Sequence, residues 1–212
     1  MRRSPDGRHG FTLMELLIVI TMIAILIGIG YPTFISILER ARKTQAANEE
    51  QQIVTAVNSF YTEYGKYPLV TADTIITGTS APSNADLFYS LRAVALGANA
   101  PVNGIPAVNP RAIVFIQPPI SSGRKGGVNT TTGIWYDPFG SPYNVMIDGT
   151  YDNQLTNPYT DAPGGTTLYL GVIVWSFGKN GRLGGGAPAA GFTTENGTAN
   201  NFTNSSDVIS WQ

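Results

Sequence analysis

Three residues near the start of the chain, Gly10, Phe11 and Glu15, have types and spacing suited to chemistry. Gly10 ends a short leader carrying Arg2, Arg3 and Arg8. Phe11 opens an apolar run that lasts to Pro32, and Glu15 is the lone acid inside it. A carboxylate in hydrocarbon costs at least a few kcal/mol if it has no partner, so Glu15 calls for a cation. A cut between Gly10 and Phe11 would supply one. The new α-amino group of Phe11 would stand one helical turn from Glu15, able to pair with it in the same chain or in a neighbour.

Other chemistry finds little support. The chain has no cysteine, and its one histidine, His9, lies in the leader. No G-x-S-x-G elbow, phosphate-binding loop or dinucleotide fingerprint is present. Asp148 and Asp152, within DGTYDNQ, miss the D-x-[DN]-x-[DN]-G spacing of a calcium loop and read as a polar turn. Phe60, Tyr61, Tyr64 and Tyr67 offer the makings of a carbohydrate platform, but their near-helical spacing favours core. Trp135, Trp175 and Trp211 read as strand residues packing on a helix. The sequence encodes no enzyme of recognisable type.

The elements that position these residues follow from hydropathy and punctuation. About 20 apolar residues suffice to cross a bilayer as a helix, which Phe11 to Tyr31 supply. The leader arginines place the N-terminus in the cytoplasm by the positive-inside rule, although Arg40, Arg42 and Lys43 partly offset the bias. The helix is expected to continue to Tyr64. Ile53, Val57, Phe60 or Tyr61, and Tyr64 form its buried face, and Glu39, Arg40, Arg42, Lys43, Glu49, Glu50, Gln51 and Gln52 its solvated one. Pro32 should kink or loosen it, with Gly28 and Gly30 weakening the same place. Gly65 and Pro68 close it.

A second helix is predicted over Asn84–Leu96, with Asn84 or Ser83 as N-cap. Strands are predicted over Ala112–Ile116, Ile134–Tyr136, Tyr143–Ile147, Leu168–Ser176 and Val208–Trp211. Asp137–Pro142 is a turn. After the leader and the long helix, roughly 150 residues remain, the size of one domain. A net charge of −1, with 13% of residues charged, leaves no basic footprint for nucleic acid. With 24 glycines, 14 prolines and no disulfide, the domain should be loop-rich and held by packing, a metal or neighbouring subunits.

The N-terminal stretch resembles the signature of type IV pilins and pseudopilins: Gly10 before the cut, Phe11 as the methylated first residue, Thr12, Leu13 and Glu15, then Pro32. Further patches, YTEYGKYP (61–68), DPFGSPY (137–143), VWSFGKNGRLGGG (174–186) and DVISW (207–211), resemble the major, G-type pseudopilin of type II secretion. Residues 69–109 and 187–204 lack a counterpart and read as insertions. The resemblance implies an α+β, type IV pilin-like fold, in which a long N-terminal transmembrane and amphipathic helix packs on a small antiparallel sheet with long loops. It implies a leader over 1–10, a helix over 11–64 with its transmembrane and assembly part at 11–31, and a periplasmic domain over 65–212.

The implied function is structural. A prepilin peptidase cuts after Gly10 and methylates Phe11. The subunit leaves the inner-membrane lipid and polymerises with itself and other pseudopilins into a periplasmic pseudopilus, and Glu15 sets the register by pairing with a neighbour's Phe11 amine. Its partners are an inner-membrane platform with its ATPase, a secretin and secreted cargo, with no nucleic acid. The alternatives are a type IV pilus or competence pilin, and a membrane-anchored binding module that borrows the export signal. The family's C-terminal loop binds calcium. Here Asn180 stands in place of the usual aspartate and Asp207 matches the acid before the last Trp, with Glu195 or loop carbonyls needed to complete the set.

Overall fold

One helix, α1, covers Leu13–Tyr64. The computed structural model describes residues 11–124, 126–159, 161–180, 202 and 205–211, with the side chains of 29–33 and Asn180 outside that description. The chain divides into two units, 1–41 and 42–212. In the first, α1 is apolar on all sides, and its described large hydrophobic side chains are exposed from Leu13 to Leu38. A helix apolar all round belongs inside a core or a membrane. Thr21 hides its hydroxyl by donating to the carbonyls of Leu17 and Ile18, at 3.0 and 2.8 Å. The helix does not end at Pro32, because a single missing backbone donor is carried by the turns on either side.

In the second unit α1 has one buried stripe: Ala46, Glu49, Glu50, Ile53, Ala56, Val57 and Phe60. This corrects the expectation of a solvated Glu49 and Glu50. The two acids share the stripe with Ala46 and Ile53 at three- and four-residue spacing, so position outweighs charge, and Tyr143 supplies Glu49 with a donor. Tyr61 is exposed where a core role was expected. Gly65, at φ 66°, closes the helix in a left-handed conformation that suits glycine.

The strands are short: β1 (Thr74–Ile76), β2 (Pro101–Val102), β3 (Ile105–Pro106), β4 (Ile120–Ser121), β5 (Gly127–Asn129), β6 (Trp135–Tyr136), β7 (Asn144–Ile147), β8 (Leu155–Thr156), β9 (Thr167–Leu168), β10 (Val172–Ser176) and β11 (Val208–Ile209). The main sheet is antiparallel, in the order β1-β7-β10-β11. Alternation sends Val145, Ile147, Val172 and Val174 to one face, against Ile53, Val57 and Phe60 of α1. Met146, Ile173, Trp175 and Ile209 go to the other face, with Leu155, Tyr159 and Leu168. A sheet covered on both sides explains why β10 reads as an unbroken buried run, VIVWS. Trp135 packs with α1, while Trp175 and Trp211 belong to the opposite face.

Helix α2 (Asn84–Leu91) is shorter than predicted and is capped by Ser83, whose side chain forms a reciprocal box with Asp86. Buried Asn84 ties α2 to the sheet by donating to the Tyr143 carbonyl at 2.7 Å and accepting from the Trp135 N–H at 2.8 Å. Residues 69–109 are therefore integral: Val70, Ile76, Leu87, Phe88 and Leu91 all join the core. Residues 112–116 form no strand. The Asn109 amide donates to the Ser90 and Ile113 carbonyls at 2.8 and 2.7 Å and accepts from the Ile113 N–H at 3.1 Å, replacing strand pairing there. Most of the second apparent insertion, 187–204, lies outside the described residues.

Candidate functional site

Two places collect the residues singled out by sequence. The first is the N-terminus of α1. Gly10 lies outside the described residues, and Phe11 is exposed. The Glu15 carboxylate accepts from the Thr12 N–H at 3.0 Å and the Thr12 hydroxyl at 2.9 Å, and Thr12 Oγ1 accepts from the Glu15 N–H at 3.2 Å. This is a capping box, with two orphan donors satisfied reciprocally. The sequence reading missed it, although T-x-x-E at 12–15 is its signature. In the single uncut chain, Glu15 is thus held by its own helix start, one turn from the Phe11 nitrogen.

The second place is the junction of the last two strands of the main sheet with the turn after β6. Three of the resembling patches meet here. DPFGSPY supplies Asp137, whose Oδ1 accepts from the N–H groups of Phe139, Gly140 and Ser141 at 2.8, 2.6 and 2.9 Å. The other Asp137 oxygen accepts from the Ser176 hydroxyl of β10. DVISW supplies β11, which pairs Val208 with Ser176 and Ile209 with Trp175. The Ser210 carbonyl accepts from the Gln51 amide of α1 at 2.6 Å. Gly178, at φ 58°, lies so close to the Ser206 carbonyl that a Cβ would stand 2.0 Å from it, so glycine alone fits.

Four carboxyl groups are buried in this unit close to the junction: Glu49, Glu50, Asp137 and Asp207. Glu49 accepts from the Tyr143 hydroxyl at 2.7 Å and the Gln45 amide at 2.8 Å, and Asp207 accepts from the Tyr159 hydroxyl at 2.8 Å. Burial and the neighbouring acids push both phenols far above their ordinary range. Burial also raises the Asp137 carboxyl, against the donors from Ser176 and the turn. Among the described residues, neither Glu50 oxygen accepts a hydrogen bond of ordinary geometry, although the Ser176 backbone favours its charged form.

For calcium, the structure gives the following. Asp207 is buried against Tyr159, and Asn180 ends a short 3-10 turn, Gly178–Asn180, with its side chain outside the description. Glu195 lies outside the described residues. Among the described residues, no group of three or more His, Cys, Asp or Glu is arranged to hold a metal ion. Asp148 accepts from the Tyr151 and Asn153 N–H groups, both at 2.6 Å, which makes DGTYDNQ a polar turn.

The fold is α+β and type IV pilin-like: a long N-terminal helix followed by small antiparallel sheets and loops. Residues 6–31 match the prokaryotic N-terminal methylation motif. The chain is similar to the type IV major pilin protein PilA of Myxococcus xanthus, 39% identical over 66 residues, which is 31% of this chain and 30% of that protein. It is also similar to the fimbrial protein EcpC of Eikenella corrodens, 34% identical over 92 residues, 43% of this chain and 58% of that protein. The chain thus spans between about a third and three-fifths of the length of the curated relatives it matches. By name one relative is a type IV pilin and the other a fimbrial protein, and with the motif they support a likeness to type IV pilins. No solved structure matches. Among the described residues, no helix is long and apolar enough to cross a membrane. The side chains of α1 are described without a gap from Leu13 to Gly28, Glu15 and Thr21 among them.

Proposed function

We propose that the chain is a filament subunit, made as a prepilin, cut after Gly10 and methylated on Phe11. More narrowly, we propose a major-pseudopilin role in a type II secretion system. The observation that carries the filament reading is the exposure of the described large apolar side chains of α1 from Leu13 to Leu38. Such a surface needs lipid before assembly and neighbouring helices after it. The cytoplasmic membrane, with the N-terminus inside, holds the subunit until a platform and its ATPase extract it.

Cutting the chain changes the position of Glu15. The Thr12 N–H and hydroxyl both donate to its Oε2 but bring no positive charge. A freed Phe11 amine, from the same subunit or an adjacent one, does. A buried acid left without its cation costs several kcal/mol, and that penalty selects the axial register. Glu15→Ala is expected to insert into the membrane normally and to form no filaments; normal filaments would overturn the register argument.

Support for the secretion reading comes from the way 137–143, 174–178 and 207–211 converge on one junction. A type IV pilus subunit is the second reading, favoured by the pilin and fimbrial names of the relatives. Intact mass with N-terminal peptide mapping, on protein from its native membrane, tests the shared part. A chain beginning at N-methyl-Phe11 is expected, and retention of residues 1–10 would overturn it. Deleting the gene separates the two readings. Loss of exported proteins from the medium favours secretion, and loss of surface filaments with export intact favours the pilus.

A further inference from the structure

The aromatic residues around the end of α1 part company in the fold. Phe60 belongs to the core cluster and Tyr64 packs against it, whereas Tyr61 is 39% exposed. Tyr67, half-buried, reaches from that cluster to the surface. Tyr151, in the turn after β7 and 47% exposed, joins them. Ring centroids are 4.7 Å apart for Tyr61 and Tyr67, 5.6 Å for Tyr67 and Tyr151, and 6.1 Å for Tyr61 and Tyr151, with planes within 34° of one another. Parallel rings on opposite faces of Tyr67 would stand at least about 7 Å apart, twice the contact distance of carbon atoms. At 6.1 Å, Tyr61 and Tyr151 lie side by side on one face of it.

Tyr151 is held there under strain. Its φ is 63° and that of Asn153 is 58°, left-handed conformations that a bulky side chain rarely adopts. The buried Asp148 carboxylate enforces them by accepting from the N–H groups of Tyr151 and Asn153, both at 2.6 Å. The Tyr151 hydroxyl accepts from the Tyr67 N–H at 3.1 Å, which fixes the ring. Glycine would make the same turn without strain. A strained backbone that presents an aromatic ring to solvent points to function.

We propose that Tyr61 and Tyr151, seated on Tyr67, form a binding platform for a neutral pyranose glycan. The inference goes beyond the filament reading and does not depend on it. Two rings side by side offer a shallow, nearly flat face, which suits the C–H face of a pyranose whose hydroxyls are equatorial. A quaternary ammonium would need rings standing upright around it, as in an aromatic cage. Nucleic acid requires a basic groove for its phosphates beside the stacking rings, and Asp148 and Asp152 flank Tyr151 instead. Uronic and phosphorylated glycans meet the same repulsion. Asp152 and Asn153 are both exposed, a carboxylate and an amide able to exchange hydrogen bonds with sugar hydroxyls.

The test is calorimetric titration of the full chain, in a detergent without a sugar headgroup, with cellohexaose, chitohexaose and the acidic hexamer of galacturonate. At least one neutral hexamer is expected to bind with a Kd below about 1 mM, and the acidic one at least about tenfold more weakly. Tyr151→Gly relieves the left-handed backbone, so it should keep the melting temperature while binding falls at least about tenfold. Tyr151→Phe keeps the ring and should stay within about threefold of wild type. If Tyr151→Gly does not fold, Tyr61→Ala on the exposed side of α1 serves, with the same loss expected. Failure of both neutral hexamers to bind, equal binding of the acidic one, or full binding by either ring-deleted variant would overturn the platform. So would loss of filaments in Tyr151→Gly together with no sugar binding by wild type, which would make the rings a contact between copies of this chain.

Discussion

The apolar residues of α1 meet opposite fates on either side of residue 41. From Leu13 to Leu38 the described large apolar side chains are exposed, whereas Ile53, Val57 and Phe60 are fully buried. The type of these apolar residues does not separate them, since both sets are large and aliphatic or aromatic. What separates them is arrangement: the first is apolar on every face, and the second carries one stripe that meets a sheet. The second region completes its core with its own chain, and the first leaves that task to its surroundings. Stability and assembly should therefore respond to different substitutions.

The largest effect should come from Phe60→Ala, which empties a site in the main cluster and should cost about 3–5 kcal/mol. Ile25→Ala should change the unfolding of the 42–212 unit by less than about 0.5 kcal/mol, as an exposed site does. Urea unfolding followed by tryptophan fluorescence compares the two, and equal effects would break the contrast. Gly149→Ala comes next. Its Cβ would stand 2.3–2.5 Å from three backbone atoms of Ala72, an overpacking expected to cost about 1–3 kcal/mol. An unchanged melting temperature would mean that the 72–73 turn yields freely.

Asp86→Ala should cost about 1 kcal/mol through loss of the α2 cap. Burial pushes the Asp86 carboxyl up, but the Ser83 N–H and hydroxyl and the Ala98 N–H hold it below its ordinary 3.8. A lowered carboxyl pKa gives stability that is complete above the unfolded value and lost as pH falls through the folded one. The gap in melting temperature between wild type and variant should therefore close in acid; a gap that persists unchanged would show that the carboxylate is not the cap. The smallest effect is expected from Arg111→Ala, which removes an ion pair with Glu63 whose arginine is two-thirds exposed. Less than about 0.5 kcal/mol is expected, shrinking further in salt.

The long helix was legible because two signals agreed: an unbroken apolar run and then a 3.6-residue stripe ending at Tyr64 and Gly65. The sheet was legible in outline, because Tyr143–Ile147 and Leu168–Ser176 are apolar runs bounded by turn residues. Two things were hidden for physical reasons. Residues 112–116 have strand composition, but Asn109 satisfies backbone groups that a neighbouring strand would have taken. Glu49 and Glu50 look like surface residues because charge normally stays in water, and only the sheet packed over their stripe shows otherwise. At the N-terminus, spacing revealed an acid in need of a partner, while its capping box with Thr12 went unread although the four residues spell it. The calcium expectation rested on a loop that lies largely outside the described residues.

The hydrogen bond from Gln51 to the Ser210 carbonyl spans 159 positions of sequence. Ser210 is also tied to β10, donating to the Val174 carbonyl at 3.0 Å and accepting from the Val174 N–H at 2.9 Å. A chain delivered N-terminus first therefore carries an unfinished sheet until residues 208–211 emerge. The order of synthesis then becomes a quality check: a truncated polypeptide has the whole of α1 but an open strand edge on β10, a surface that invites mispairing or proteolysis.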